Sequence, residues 1–292
     1  MSGWAQIQWL PDGSRLHLQH GPIDLLVEVW GPGRSEAYDR ASARFETILQ
    51  EMVDELDMLR LPACADVVFK GVVAREMQRA AQQALPEFVT PMAAVAGAVA
   101  DEIARVIASR DGVLRAYVNN GGDAALVLAD GQVLTSAVAG ADAKIAIHAT
   151  DPIRGVATSG WRGRSLSFGV ADSVTVLSKT AAQADVAATL IANHVDLPNH
   201  PEVCKRPAHA VRDDSELGDR LVTVHVGNLS DADAGRALES GVHYARSLMK
   251  RSPIAGVFLT LAGQWRCLGK MVQVAPDARP EWRSKTLLSE DI

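Results

Sequence analysis

Three short clusters combine residue types that do chemistry with spacings that let them act together. The first is Tyr117-Val-Asn119-Asn120-Gly121-Gly122-Asp123. Two amides offer donors and acceptors for a heterocycle edge or a ribose. The glycine pair allows a sharp turn and lets a ligand reach main-chain N–H groups. Asp123 adds a carboxylate able to move a proton. Equally, Asn-Gly is a strong signal for a tight turn joining two strands.

The second cluster is Gly155-Val-Ala-Thr158-Ser159-Gly160-Trp161-Arg162-Gly163-Arg164-Ser165, which reads as a loop. Thr158, Ser159 and Ser165 supply hydroxyls beside Gly160. Arg162 and Arg164 could converge on an anion, because guanidinium binds phosphate or carboxylate in bidentate fashion. A solvated polar loop accounts for the same residues. The spacing fits neither a Walker loop nor a dinucleotide-binding fingerprint.

The third cluster runs from Asp172 through Ser173-Val-Thr-Val176 to Ala184-Asp185-Val-Ala-Ala-Thr189. Asp185 and Thr189, four apart on a helix, share one face among Ala, Val, Leu and Ile. A carboxylate there is costly without a partner. Carboxylate plus hydroxyl oxygen suits Mg²⁺, a hard ion that keeps several waters. A helix-start cap with a back-bonded threonine is the structural alternative. Asp123 and Asp172 are the catalytic candidates. The eight histidines form no metal array, and no nucleophile elbow is present.

The elements that must position these clusters follow from periodicity. Residues 15–30 read as a hairpin turning at Gly21-Pro22. A helix over about 36–56, with Ser35 as its cap, carries apolar residues at three- and four-residue spacing. Helices are expected over 71–84, 92–107, 181–193 and about 231–249. The Met92–Ile107 helix is apolar on most faces and so is expected to be buried, with Gly97 and its alanines admitting another backbone. Strands over 113–118, 124–128, 133–138 and 144–148 read as an antiparallel meander turning at Ala129-Asp-Gly131. Further strands are expected at 173–177, 221–226, 255–261 and near 265–274. Residues 196–219 are the most loop-like stretch. The order of elements gives an α+β fold, a largely antiparallel sheet with packed helices, over residues 1–275, with a polar tail over 276–292.

Composition narrows the function classes. A net charge of −6 without a basic block gives no footing for nucleic acid, whose affinity needs many Lys or Arg contacts to phosphate. Three cysteines at wide spacing, Cys64, Cys204 and Cys267, lack the pairing of a zinc or redox motif and read as reduced thiols. The Met1 end lacks the charged and apolar regions of an export signal, and the weakly polar run Val89–Ala100 is too short to span a bilayer. A cytoplasmic, non-membrane protein is the expectation. The Ala/Gly-rich helices would also serve a homodimer interface.

In order along the chain, Asn119-Asn-Gly-Gly122, Ala157-Thr-Ser-Gly160, Ser173-Val-Thr-Val176 and Ala184-Asp-Val-Ala-Ala-Thr189 resemble the ApbE superfamily of flavin-binding proteins. Leu18-Gln-His-Gly-Pro-Ile-Asp24, Thr90-Pro-Met-Ala-Ala-Val-Ala-Gly97 and Gly169-Val-Ala-Asp-Ser-Val-Thr-Val176 are similar to a short bacterial and archaeal branch of it. The likeness covers most of residues 15–265. It implies an ApbE-like, T-fold-related architecture and a small-molecule ligand. In the transferring members, FAD is cleaved with Mg²⁺ and FMN is attached to a protein hydroxyl, with metal ligands that fall on Asp185 and Thr189 here. Those enzymes carry His-x-x-Asp-Pro-x-Thr-Gly between the second and third motifs. Here Gly160 and Ser173 are separated by twelve residues lacking His, Pro and Thr-Gly. The resemblance therefore implies an enzyme acting on another anionic heterocycle, of flavin, nucleotide or pterin type. Methylotroph members of the branch are linked to tetrahydromethanopterin-dependent one-carbon metabolism. A non-catalytic flavin- or nucleotide-binding module and FMN transfer itself are the alternatives.

Overall fold

The structure is a computed structural model, which describes residues 4–109, 111–139 and 144–269. Its frame is a nine-stranded antiparallel sheet. In sheet order the strands are β1 (Gln6–Trp9), β2 (Arg15–His20), β3 (Ile23–Trp30), β4 (Arg115–Asn120), β5 (Asp123–Leu128), β8 (Gly155–Ser159), β9 (Ser173–Ser178), β12 (Ile254–Leu261) and β13 (Gln264–Gly269). The numbers skipped in that order belong to two smaller ribbons, β6 (Val133–Ala137) with β7 (Lys144–His148), and β10 (Val203–Pro207) with β11 (Leu221–Val226).

Alternation decides which face of the sheet meets the helices. Leu25, Val27 and Val29 of β3 are buried on one side, and Val118 and Ala116 of β4 continue that side in register. Helices α1 (Arg34–Val53), α4 (Val95–Ala108), α5 (Ala181–His194) and α7 (Asp231–Met249) lie against it, over β2–β3, β4–β5, β8–β9 and β12–β13 respectively. The short α2 (Leu56–Leu59), α3 (Val72–Gln82) and α6 (Ala208–Val211) complete the set. One apolar core runs through this layer from Leu16 to Leu261.

Several expectations are corrected. The helix expected over 92–107 starts as a 3₁₀ turn, Pro91–Ala94, because Pro91 opens it. α1 is capped at Gly33 without a side-chain bond, and Ser35 lies inside the helix. The expected meander is broken: β5 pairs with β8, and β6–β7 fold across the outer face of the sheet. A second apolar cluster forms there, where Ile145 and Ile147 meet Leu126, Val156, Leu177 and Phe258. Gly155–Ser159, expected as a loop, is an interior strand paired on both edges. Residues 203–207 and 208–211 give the expected loop stretch its own strand and helical turn. The polar tail and residues 270–274 of the last expected strand lie outside the described residues.

Candidate functional site

The turn between β4 and β5 sits at the helix side of the sheet. Asn120 pairs with Asp123 across two glycines. Gly121 and Gly122 have φ of +63° and +116°, a primed turn that a side chain would strain. The turn reading of this sequence is therefore the one the backbone adopts. Asn119 Oδ1 accepts from Gly122 N at 3.0 Å, and Asn120 Nδ2 donates to the Ala96 carbonyl at 3.1 Å. These two bonds tie the turn to itself and to the start of α4.

α4 and α5 approach closely at that point. A Cβ on Gly97 would stand 2.3 Å from the Ala181 carbonyl oxygen. That contact brings Asp185 of α5 to the α4 N-terminus, where Gly97 N donates to its Oδ2 at 3.0 Å. Asp185 is thus not a cap of its own helix. Thr180 holds that place and accepts from Gln183 N at 3.2 Å. Asp101 of α4 reinforces it, accepting from Ala181 N at 2.9 Å and Ala182 N at 2.8 Å. Burial pushes the Asp101 carboxyl up to about 6.

Across from Asp185 stands Asp123, only 8% exposed, which accepts from Thr158 N at 3.1 Å. Burial pushes Asp123 up to about 7. Asp185 is raised well above the usual carboxylate range, first by burial and then by the charge of Asp123. Two carboxylates therefore face one another with N–H donors as their described partners and no side-chain cation among the causes of their shifts. Such a pair either keeps a proton or holds a cation. Among the described residues no group of three or more His, Cys, Asp or Glu surrounds a metal position. An ion here would be held by the two acids, the Thr189 hydroxyl one turn along α5, main-chain oxygens and water. Mg²⁺ accepts such a set.

The arginine-bearing segment divides. Arg164 stands at the glycine turn, with Nη1 3.3 Å from where a Gly121 Cβ would be and Nη2 3.4 Å from the Pro22 carbonyl. Arg162 turns away, bonding Asp172 Oδ1 at 3.0 Å and lying over the Trp161 ring. Asp172 also accepts from Ala262 N at 2.7 Å, which fixes the entry to β9. The candidate carboxylates thus separate: Asp123 belongs to the acid pair, while Asp172 is engaged in a cross-chain brace. Thr158 directs its hydroxyl to Thr175 at 2.9 Å, Ser159 is partly exposed, Gly160 is buried and Ser165 is exposed. Ala96 and Gly97 were not foreseen as site residues, nor Asp101 as the brace of the α5 N-terminus. Asp101 carried the same signal as Asp185, a carboxylate on an apolar helix.

The fold defines an α+β protein in which two carboxylates meet where two helix N-termini approach a glycine turn. The chain matches the family described as AbpE bacteria over residues 7–267 and belongs to that family, an ApbE-like branch. Among relatives, a UPF0280 protein of Methanothrix thermoacetophila is 37% identical over 139 residues, covering 46% of this chain and 56% of that protein. A UPF0280 protein of Methanopyrus kandleri is 40% identical over 146 residues, covering 49% and 56%. The chain spans about half the length of these curated relatives. Among solved structures, the apo flavinyl transferase ApbE of Pseudomonas stutzeri aligns over 67% of this chain and 86% of that one, with a TM-score of 0.41 and 13% identity. Among the described residues no helix is long and apolar enough to cross a membrane.

Proposed function

We propose that this chain is an ApbE-like enzyme that binds an anionic heterocyclic molecule of flavin, nucleotide or pterin type with the help of a divalent cation. The observation that carries this reading is the meeting of the buried Asp123 and the part-buried Asp185, with no side-chain cation among the causes of their shifts, beside the Gly121–Gly122 turn and Arg164. Asp123, Asp185 and Thr189 would hold Mg²⁺, which when bound would polarise a phosphoryl oxygen. Arg164 would meet the ligand's negative charge from the far side of the turn. Asn119 and Asn120 hold the turn's shape through their bonds to Gly122 and Ala96, which keeps the glycine turn open beside Arg164 for the ring or sugar.

FMN transfer is the less favoured chemistry. Its His-x-x-Asp-Pro-x-Thr-Gly stretch is replaced here by a segment braced by Arg162–Asp172, so the acceptor hydroxyl lacks its activating group. The test is the purified protein itself: its near-ultraviolet and blue absorbance, and the mass of any small molecule released on denaturation. A flavin or pterin spectrum with the matching mass supports the reading. Saturable binding without turnover of that molecule reduces the protein to a binding module. A colourless protein that binds FAD, FMN and a pterin neither with nor without Mg²⁺ overturns it.

A further inference from the structure

On the face of the sheet turned away from the helices, the β6–β7 ribbon and strands β2 to β4 enclose a cavity of about 420 Å³. That is the size of a small-molecule site. It is separate from the acid pair. Asp123 lies on the helix side of β5, whereas its neighbours Ala124 and Leu126 line this cavity from the other side.

The walls are of two kinds. Leu126, Leu134, Ile147 and Val156 are apolar. Trp30 and Tyr117 present aromatic rings whose centroids are 6.0 Å apart. Around them stand two arginines and two carboxylates, Arg15, Arg115, Asp12 and Glu28, so the lining is electrically balanced. Arg15 is bonded to Asp12 at 2.6 Å. Arg115 lies over the Trp30 ring at 4.5 Å and donates to the Val133 carbonyl at 3.2 Å. Both cations are therefore engaged within the protein. Glu28 meets the Tyr117 hydroxyl, and Arg15 lies nearby. A carboxylate accepts about four hydrogen bonds, so Glu28 keeps acceptor capacity in a half-buried place where each bond counts for more than in water. An aromatic slot with a surplus acceptor calls for a flat ligand that donates.

We propose that this cavity is a second binding site, for a planar fused-ring heteroaromatic molecule with adjacent N–H donors. Glu28 accepts the donor edge, Trp30 and Tyr117 contact the ring, and Leu134 and Ile147 of the ribbon close over it. Adjacent N–H groups match the two oxygens of one carboxylate, which is why a donor pair is favoured over a single donor.

The test is calorimetric titration of the full chain with three probes: 2-aminobenzimidazole, with adjacent N–H donors; indole, with one; and 1-naphthoate, an anion. The expected order puts 2-aminobenzimidazole about tenfold or more tighter than indole, in line with hydrogen bonds to a charged group. Glu28→Gln removes that advantage, with a smaller loss for indole, whose single N–H keeps the Gln oxygen as acceptor. Thr135→Trp, a partly exposed ribbon position lining the cavity, blocks both without disturbing the core and so covers the case in which the Glu28 variant does not fold. Asp185→Asn leaves 2-aminobenzimidazole binding unchanged. The proposal falls if no probe binds, if Thr135→Trp has no effect, or if Asp185→Asn abolishes binding, which would place the probe in the acid site. It also falls if 1-naphthoate binds best and loses its affinity in Arg115→Ala, which would make this an anion site.

Discussion

Asn in place of Asp123 removes a titrating group from the acid pair while keeping the oxygen that accepts from Thr158 N. The ordinary carboxyl value is 3.8, and Asp123 sits at about 7 in the folded protein because it is buried. The folded state therefore keeps a proton that the unfolded chain releases. Its contribution to stability is complete below about 3.8 and is lost as pH rises through about 7. Between roughly pH 5 and pH 7 the loss is about 2 kcal/mol, since the slope of about 1.4 kcal/mol per pH unit falls by half as pH nears 7. For a chain of this length that corresponds to a fall in melting temperature of about 4 °C. Thermal melts in chelator across this range should show that fall in the wild type. Asp123→Asn should have a distinctly shallower curve and be the more stable protein above pH 7. Asp101 and Glu28 titrate with the same sign and add to both curves, whereas Asp185 loses the repulsion of the Asp123 charge in the variant and flattens its curve further, so the difference between the proteins is the diagnostic quantity. Parallel curves would refute the argument that a buried, uncompensated acid stands at this position.

Three further outcomes follow from the geometry around that pair. Gly97→Ala forces a Cβ against the Ala181 carbonyl, separates α4 from α5, and should cost about 1–3 kcal/mol in denaturant unfolding while weakening ligand binding out of proportion. Asp101→Ala leaves the Ala181 and Ala182 N–H groups without their acceptor and should cost about 1–2 kcal/mol by the same measurement, with an intact ligand site. Arg164→Ala should weaken the affinity for an anionic ligand about tenfold, whereas Arg162→Ala, which loses an exposed pair with Asp172, should change affinity little; binding titrations compare them.

The sequence made some of this legible. α7 matches its expected span because Ser230 announces its start and apolar residues recur along one face. The 181–194 helix and the glycine turn were equally open to reading, since both rest on local spacing. β8 was hidden because Gly-Val-Ala-Thr-Ser, paired on both edges, shows neither alternation nor the bulky residues of a typical strand. The β6–β7 ribbon alternates in the same way whether it extends the sheet or crosses its face, so only its partners distinguish the two. Within the site, Asp123 and Asp185 were each marked as unusual, but their meeting depends on the α4–α5 contact at Gly97, which no local pattern encodes. The second cavity was invisible for a related reason. Arg15, Glu28 and Tyr117 occupy the outward positions of three strands, where polar residues ordinarily face water.

The proposed function requires that Asp123 and Asp185 hold a divalent cation for an anionic ligand at the glycine turn. It is tested most directly by titrating FAD into the metal-free protein and into the protein with Mg²⁺, in the wild type and in Asp185→Asn. The expected result is saturable binding that tightens about tenfold or more with Mg²⁺ in the wild type, and no such gain in the variant. Binding of equal strength with and without Mg²⁺, unchanged by Asp185→Asn, would contradict it.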